Sequence, residues 1–416
     1  MPEVAEVAHV CALLRRNVLG FKIREAKFNL DNLLFPALKT AKDPESTLSK
    51  FTEILTGSTI SSIGRHGKYF WMRLLKPSQE PTVMLMHFGM TGMIKLRDIE
   101  SHLIFMEGGG DKKVLDRIVQ KDLSEGTTED ENSTKKGPKK APIETDAQAE
   151  WPPRFTKFEL KLENGNLEGN AESNGNGTEQ VFKTLDLAFT DPRRLGRVRI
   201  LSGPEYAADE SLMQQEPLKA LGPDYSKSAD SISVKKEESE GIDTFHFGDP
   251  DPHHHGKPRL SQEEFAKLVL SKKKAIKSLL LDQEHFAGVG NWVSDEVLYH
   301  AKIHPNETIS SKLDNPSDEV LQALYDALIY VMEESVRVEG NVHKLPEHWL
   351  MIYRWGKGRK VKAKTKAGHV VDHITVGGRT SCFVPQIQKP LKKKIGKGLD
   401  EQQSKRLKSF KNEDDL

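Results

Sequence analysis

What most constrains the fold of this 416-residue chain is that its apolar periodicity stops three times. Residues 107–150, 164–180 and 224–256 mix Lys, Glu, Asp, Asn and Gly with no repeating apolar position, so they cannot bury enough surface to offset the entropy of ordering. They are expected to be disordered insertions or long loops. All three are acidic, with 8 bases to 11 acids, none to 3, and 3 to 8 in turn. Residues 389–416 form a basic tail with 9 bases to 5 acids. The remaining residues therefore carry +8 inside a total of only +1. The near-neutral total hides a cationic core and does not argue against a polyanionic partner.

The periodic remainder reads as three parts. Residues 2–19 are expected to be a helix, with Val4, Val7, Cys11, Leu14 and Val18 at helical spacing. Strand patterns follow at 68–75, 82–88, 93–97, 157–163, 185–191 and 197–202, which predicts an antiparallel sandwich or barrel flanked by helices. Residues 261–338 read as helical, with Ser261 and Glu264 as a capping box and Asn315-Pro316 as a second helix start. Residues 352–384 turn extended again around glycine turns. The two cysteines, Cys11 and Cys382, exclude a disulfide framework and a zinc site built from two Cys pairs. No apolar run reaches the roughly 18 residues of a membrane span. The first ten residues hold two glutamates and no basic lead into an apolar run, unlike a secretory signal. The expected setting is intracellular and reducing.

Candidate chemistry sits in five places. Removal of Met1 would leave Pro2 as a free secondary amine at the positive end of a helix, where its pKa falls below the usual α-amino range. Such an amine is a nucleophile that forms an iminium with an aldehyde-like carbon, and Glu3 and Glu6 share the helix face beside it. The bland alternative is a proline and two glutamates that merely begin a helix. The turn DPRRLG presents Arg193, Arg194 and Leu195, a set that suits phosphates, base edges and an apolar wedge, or a plain solvated basic turn. FAGVG before Asn291 offers backbone N–H groups and a helix start, a phosphate-binding geometry, and Lys273 lies in a four-lysine cluster upstream. Lys68 follows a glycine turn, and Arg379 follows a Gly-Gly turn as the tip of a β-hairpin. Either could be ordinary surface charge.

Taken in order, PEVAEV, GRHGKYF, MHFGMTG, TDPRRLG, AGVGNWVSDEVLYHAKIHP and GGRTSCFVPQIQK resemble the formamidopyrimidine-DNA glycosylase family of base-excision repair. The resemblance covers almost all of the ordered chain. It implies that Pro2 attacks the sugar C1′ of a flipped damaged nucleotide to give a Schiff base, with Glu3 as the proton donor. It implies Lys68 in substrate and phosphate contacts and β-elimination, Arg379 in phosphate contacts and a second elimination, and Asn291 in a phosphate clamp. Met90, Arg193 and Leu195 would enter the vacated stack, Arg193 on the orphaned base, while Arg194 and Lys157 would hold the DNA backbone and Lys273 would add phosphate affinity. The partner would be double-stranded DNA containing oxidised bases or abasic sites, bound by a monomer without cofactor, metal or membrane.

Three departures from the family pattern matter. The family's usual finger holds zinc on two Cys pairs, whereas here Val384 and Ile387 stand where the second pair falls; His369 and His373 have only Cys382 nearby. The expectation is a zincless finger, as in the plant and fungal branch. Leu195 replaces an aromatic wedge, and the stretch between Gly340 and Trp355 is short. Formamidopyrimidines and hydantoins are therefore the expected substrates, with 8-oxoguanine left open. The fold class implied is α+β multidomain. It comprises an N-terminal helix and antiparallel β-sandwich domain (1–223), an acidic insertion (224–256), an all-α helix–two-turn–helix domain (257–350), a zincless β-hairpin finger (351–388) and a basic disordered tail (389–416). Competing readings are an endonuclease VIII-like glycosylase for oxidised pyrimidines and a non-catalytic damaged-DNA-binding protein. The tail reads as a nuclear import signal, an extra DNA-affinity arm or a solvated charge run.

Overall fold

The computed structural model describes residues 2–103, 150–164, 183–228, 256–357 and 361–394. Among them, contacts divide the chain into two units: residues 2–220, 256–257 and 335–344 in the first, and 221–228, 258–334 and 345–394 in the second. The insertions expected at 107–150 and 164–180 lie almost wholly outside the described residues.

In the first unit, α1 (Val4–Val18) starts two residues later than the periodicity suggests and is buried nearly all round. Its expected core positions Val4, Val7, Cys11, Leu14 and Val18 are each at most 2% exposed. Eight antiparallel strands follow: β1 (Lys22–Phe28), β2 (Thr59–His66), β3 (Tyr69–Leu75), β4 (Thr82–His87), β5 (Met93–Leu96), β6 (Thr156–Asn164), β7 (Lys183–Thr190) and β8 (Arg197–Ser202). They form one sheet in the order β5-β7-β6-β1-β2-β3-β4-β8. β1 and β2 share one register pair, Lys22 with Thr59, flanked by backbone hydrogen bonds that include Ile60 N–H to Phe21 O and Ile23 N–H to Ser58 O. The two halves of the sheet on either side of that junction share one core. Phe88, just after β4, stacks on Phe189 of β7, and Phe189 stacks on Phe158 of β6. Helix α1 and α2 (Pro44–Leu55, with Asp43 accepting from the Glu45 and Ser46 N–H groups) add Val7, Leu14, Phe51 and Leu55 to the same core. Each such aliphatic or aromatic side chain contributes about 1.5–3 kcal/mol through burial.

The second unit is helical, with α3 (Gln262–Ser271), α4 (Ile276–Leu280), α5 (Asn291–His300) and α6 (Glu319–Arg337), the last of which carries into the first unit at Ser335. The Ser261–Glu264 capping box forms as expected. The hairpin β9 (Asp372–Val376) and β10 (Arg379–Phe383) belongs to this unit too.

Three boundaries differ from the sequence expectation. Residues 224–228, assigned to the acidic insertion, are packed: Asp224, Tyr225 and Lys227 are fully buried, with Tyr225 against the rings of Phe265 and Phe286. One aromatic anchor outweighs the local polar composition, and the rest of that insertion up to 255 lies outside the described residues. The first residues of the basic tail are held as well. Leu391 N–H donates to Glu307, and the Lys394 ammonium pairs with Asp318 at 2.7 Å. Finally, Asn315-Pro316 forms a turn instead of a helix start; Asp318 accepts from Val320 N–H, and α6 begins at Glu319.

Candidate functional site

Pro2 is buried at the entry to α1, and Glu3 is the N-cap residue, 0% exposed. Glu3 and Glu6 form a reciprocal capping box in which Glu3 N–H donates to a Glu6 carboxylate oxygen at 2.9 Å. Burial, and then the adjacent Glu3 carboxylate, push the Glu6 carboxyl up to about 7. Near neutral pH the Glu6 carboxyl is therefore poised between its neutral and ionised forms. One helical turn on, His9 Nδ1 meets Glu339 at 2.8 Å, and Arg16 grips both Glu339 oxygens at 2.5 and 2.7 Å. His102 lies beside them, so these three residues bring possible metal-ligand atoms together. Burial alone would raise the Glu339 carboxyl, but Arg16 and His9 hold it at about 2. The cluster is a closed ion pair that fixes α1, with both carboxylate oxygens engaged.

Lys68 sits in the two-residue turn between β2 and β3, where Gly67 takes φ 58° and its carbonyl accepts from Arg65 at 2.9 Å. Lys68 as a whole residue is 8% exposed. It lies within electrostatic range of His87, a residue of MHFGMTG that the sequence did not single out. Burial and then Lys68, Arg197 and Arg199 push the His87 imidazole down to about 4, so it is neutral at physiological pH. Its Nδ1 accepts Gly89 N–H at 3.0 Å, which places the remaining ring proton on Nε2, a donor for an anion.

The loops of Met90 and of Arg193–Leu195 abut. Gly89 has φ 62°, and a Cβ there would stand 2.3 Å from the Leu195 backbone carbon and oxygen, so only glycine permits the approach. Asp191, fully buried, ties the two loops: it accepts from Thr91 Oγ1 and Gly196 N–H, both at 2.7 Å, and from Arg193 N–H at 3.2 Å. Arg193 and Leu195 are exposed, Leu195 by 39%, and Met90 is half-buried. Arg194, at φ 56°, turns away and forks onto Asp31 at 2.9 and 3.0 Å, and Lys157 joins the same carboxylate at 3.0 Å. Burial would raise the Asp31 carboxyl, but these cations hold it well below the usual range. Arg194 and Lys157, expected on the DNA backbone, thus share one internal anion. Asp31 and Asp191 lie up to 163 residues from their partners, and no local motif marks them.

In the second unit the lysine cluster divides. Lys273 is exposed, Lys274 pairs with Asp282 at 2.7 Å, and Lys277 is fully buried on Asp295 at 2.5 Å. Lys277 is therefore unavailable to a phosphate, against the expectation for the cluster as a whole. Asn291 does not cap α5; Gly290 holds that position in extended backbone, and Asn291 is the first helical residue. Its Nδ2 donates instead to Thr380 O at 3.1 Å, joining α5 to the hairpin. Asp295 completes the joint, accepting from Lys277, from Arg354 at 3.1 Å and from Ser381 Oγ at 2.6 Å. Glu296 accepts the Leu350 and Met351 N–H groups at 2.9 and 2.7 Å. The hairpin turn is Gly377–Gly378, at φ 55° and 75°, as a tight turn between twisted strands demands, and Arg379 stands exposed beside it. Beneath, Leu350, Val371, Cys382 and Val384 form an apolar cluster with Ile387 against it. His373 Nε2 is taken by Arg354 O at 2.9 Å, and burial pushes the Cys382 thiol far up. Val384 and Ile387 offer no donor atoms, so these residues do not fit a four-donor zinc site.

Family models match both units: the formamidopyrimidine-DNA glycosylase N-terminal domain over residues 1–198 and the H2TH domain of the same enzymes over 249–346. The chain is 28% identical over 389 residues to formamidopyrimidine-DNA glycosylase of Arabidopsis thaliana, covering 94% of this chain and 71% of the relative. It is 24% identical over 403 residues to that of Rhodopseudomonas palustris (strain TIE-1), covering 94% and 100%. The Lactococcus lactis enzyme, solved non-covalently bound to DNA containing an AP site, shares the fold with a TM-score of 0.53 and 19% identity over 93% of this chain and 99% of that one. MutM solved with carbocyclic 8-oxo-G DNA gives 0.54 at 18%, over 93% and 100%. With both family domains in order and the plant relative aligned along nearly the whole chain, this protein belongs to the formamidopyrimidine-DNA glycosylase family, in its plant-like branch.

Proposed function

We propose that this DNA glycosylase of base-excision repair is bifunctional: it removes oxidised purines through an imine at Pro2 and then cuts the strand by β,δ-elimination. Formamidopyrimidines and hydantoins are the main substrates. The observation that carries this reading is the start of α1, where Pro2, a fully buried Glu3 and a Glu6 carboxyl at about 7 stand together. The Pro2 nitrogen attacks C1′ as the glycosidic bond breaks, and the departing base takes a proton from Glu3; the Pro2 N–H proton returns to Glu3 and passes to O4′ as the C1′–O4′ bond opens, which leaves the iminium. Glu6, with an affinity for protons near neutrality, resupplies Glu3. The resulting iminium acidifies the sugar, so the same amine that released the base promotes strand scission. Lys68 serves substrate contact and β-elimination, and Arg379 the second elimination. The base must leave the stack to be reached, and the adjoining Met90, Arg193 and Leu195 fill the gap. Neutral His87 donates from Nε2 to a phosphate, and Asn291 and Lys273 bind the backbone from the second unit.

The partner is duplex DNA with oxidised bases or abasic sites; the Lactococcus lactis relative has been solved on AP-site DNA and on N7-benzyl-Fapy-dG DNA. The tail KPLKKKIGKGLDEQQSKRLK supports a nuclear location, which a fluorescent fusion with and without the tail tests directly. Borohydride reduction with formamidopyrimidine and abasic duplexes should give a covalent adduct that Pro2→Gly loses. An intact protein that forms no adduct with either duplex overturns the imine. Binding without cleavage would instead favour a damage-binding role, and faster excision of thymine glycol than of formamidopyrimidine would place the chain with pyrimidine-specific enzymes.

A further inference from the structure

Strand β8 lies at the edge of the sheet, next to β4. Its register sets Arg197 across from His87, which pairs in turn with Tyr69, and Arg199 across from Leu85, which pairs with Trp71. Val198 and Ile200 point into the core, so Arg197 and Arg199 lie together on the opposite face. At about 3.4 Å of rise per residue, alternate positions stand roughly 7 Å apart along the strand, close to the spacing of successive phosphates on one DNA strand.

These two arginines have an unusual charge balance. Arg197 Nη1 donates only to the neighbouring Gly196 carbonyl, at 2.6 Å. Arg199 Nη1 is closed off from solvent and has no hydrogen-bond partner. Neither pairs with a carboxylate among the described residues, in contrast to Arg194 four positions back from Val198, which Asp31 holds. Lys68 lies within electrostatic range of the same His87, so three cations converge on one imidazole. Arg197 and Arg199, two like charges with no carboxylate partner among the described residues, raise the energy of the free protein, and an arriving anion recovers that energy.

We propose that Arg197 and Arg199 form a phosphate track along the β8 edge that takes two successive backbone phosphates of the DNA strand and continues the anion site of Lys68 and His87. The track rests on the DNA-binding reading above and adds to it a binding element outside the catalytic residues. It supplies affinity and register without reading sequence.

The test is the salt dependence of binding of the full chain to a duplex with a stable abasic analogue, followed by fluorescence anisotropy. Each neutralised phosphate contributes about 0.9 to the slope of log K against log salt. Arg197→Gln with Arg199→Gln should make the slope shallower by about 1.8, each single variant by about 0.9, and the double lysine variant should restore most of it. Lys267→Gln, on the exposed face of α3, is the control and leaves the slope unchanged. Inorganic phosphate added at constant ionic strength should not compete selectively with the wild type. An unchanged slope in a double variant with wild-type melting temperature overturns the proposal. So does selective competition by inorganic phosphate, which would mark a free-anion site. If the double variant melts lower, the single variants decide by the same slope criterion. A wild type that neither binds the duplex nor traps on borohydride would instead count against the function reading itself.

Discussion

The loops that carry Met90 and Leu195 and the hairpin that carries Arg379 are each fixed by a buried carboxylate, but the rest of their support differs. In the first unit Asp191 binds mainly backbone N–H groups, and a glycine lets two loops touch. In the second, Asp295 binds two buried cations and a hydroxyl, over an apolar cluster. The loops depend on backbone shape, and the hairpin depends on charge compensation. The contrast teaches that cations in this chain have two separable uses. Lys277, Arg354, Arg194 and Lys157 hold internal anions, whereas Arg193, Arg197, Arg199 and Arg379 have no carboxylate partner among the described residues.

The sharpest way to break this contrast is Asp295→Ala. Removing one member of a buried ion cluster leaves Lys277 and Arg354 uncompensated, so urea unfolding should show a loss of about 3–5 kcal/mol. A loss below about 1 kcal/mol would mean the apolar cluster alone holds the hairpin. Next comes Gly89→Ala, which forces a Cβ into the Leu195 backbone at a left-handed φ. It should cost roughly 2–4 kcal/mol and lower excision more than abasic-site binding, because the wedge moves. Retained excision would show that the two loops act independently.

Glu6 gives a pH test with a definite sign. Its folded pKa is raised from 4.5 to about 7, so its neutral form favours folding below about pH 4.5, and that contribution is lost as pH climbs through 7. Glu6→Gln should leave melting unchanged near pH 4 and stabilise the protein by on the order of 2–3 kcal/mol at pH 8. The same variant should flatten the pH dependence of excision near neutrality; an unaltered profile would remove Glu6 from proton supply. The smallest effect is expected from Arg194→Gln. Because Asp31 engages this guanidinium, the salt slope of DNA binding should stay as in wild type, and a shift of about 0.9 would put Arg194 on a phosphate after all.

Much of the scaffold was legible because it rests on local pattern. The α1 core positions, six of the eight strands, the Ser261–Glu264 box and the Gly-Gly hairpin with Arg379 at its turn all follow from periods and turn residues within a few positions. Strands β1 and β2 and helix α2 escaped because their apolar positions are interspersed with charged or small residues, as in KIREAKF and TISSIGRH. His87 had a signal, its place in MHFGMTG, but its neutral state depends on burial and then on three cations gathered from a turn and a separate strand.

By itself, then, the sequence determined which segments can bury a face, where the chain must turn and which side chains are chemically able to donate, accept or attack. It also placed positive charge outside the acidic insertions, so the near-neutral total conceals a basic core. Only the tertiary structure decided which of those charges are available. An ion pair or hydrogen bond depends on a separation of a few ångströms, and here that separation joins Asp31 to Arg194, Asp191 to Thr91 and Asp295 to Ser381 across 163, 100 and 86 residues. Packing sets such distances, and no local pattern of residues encodes them.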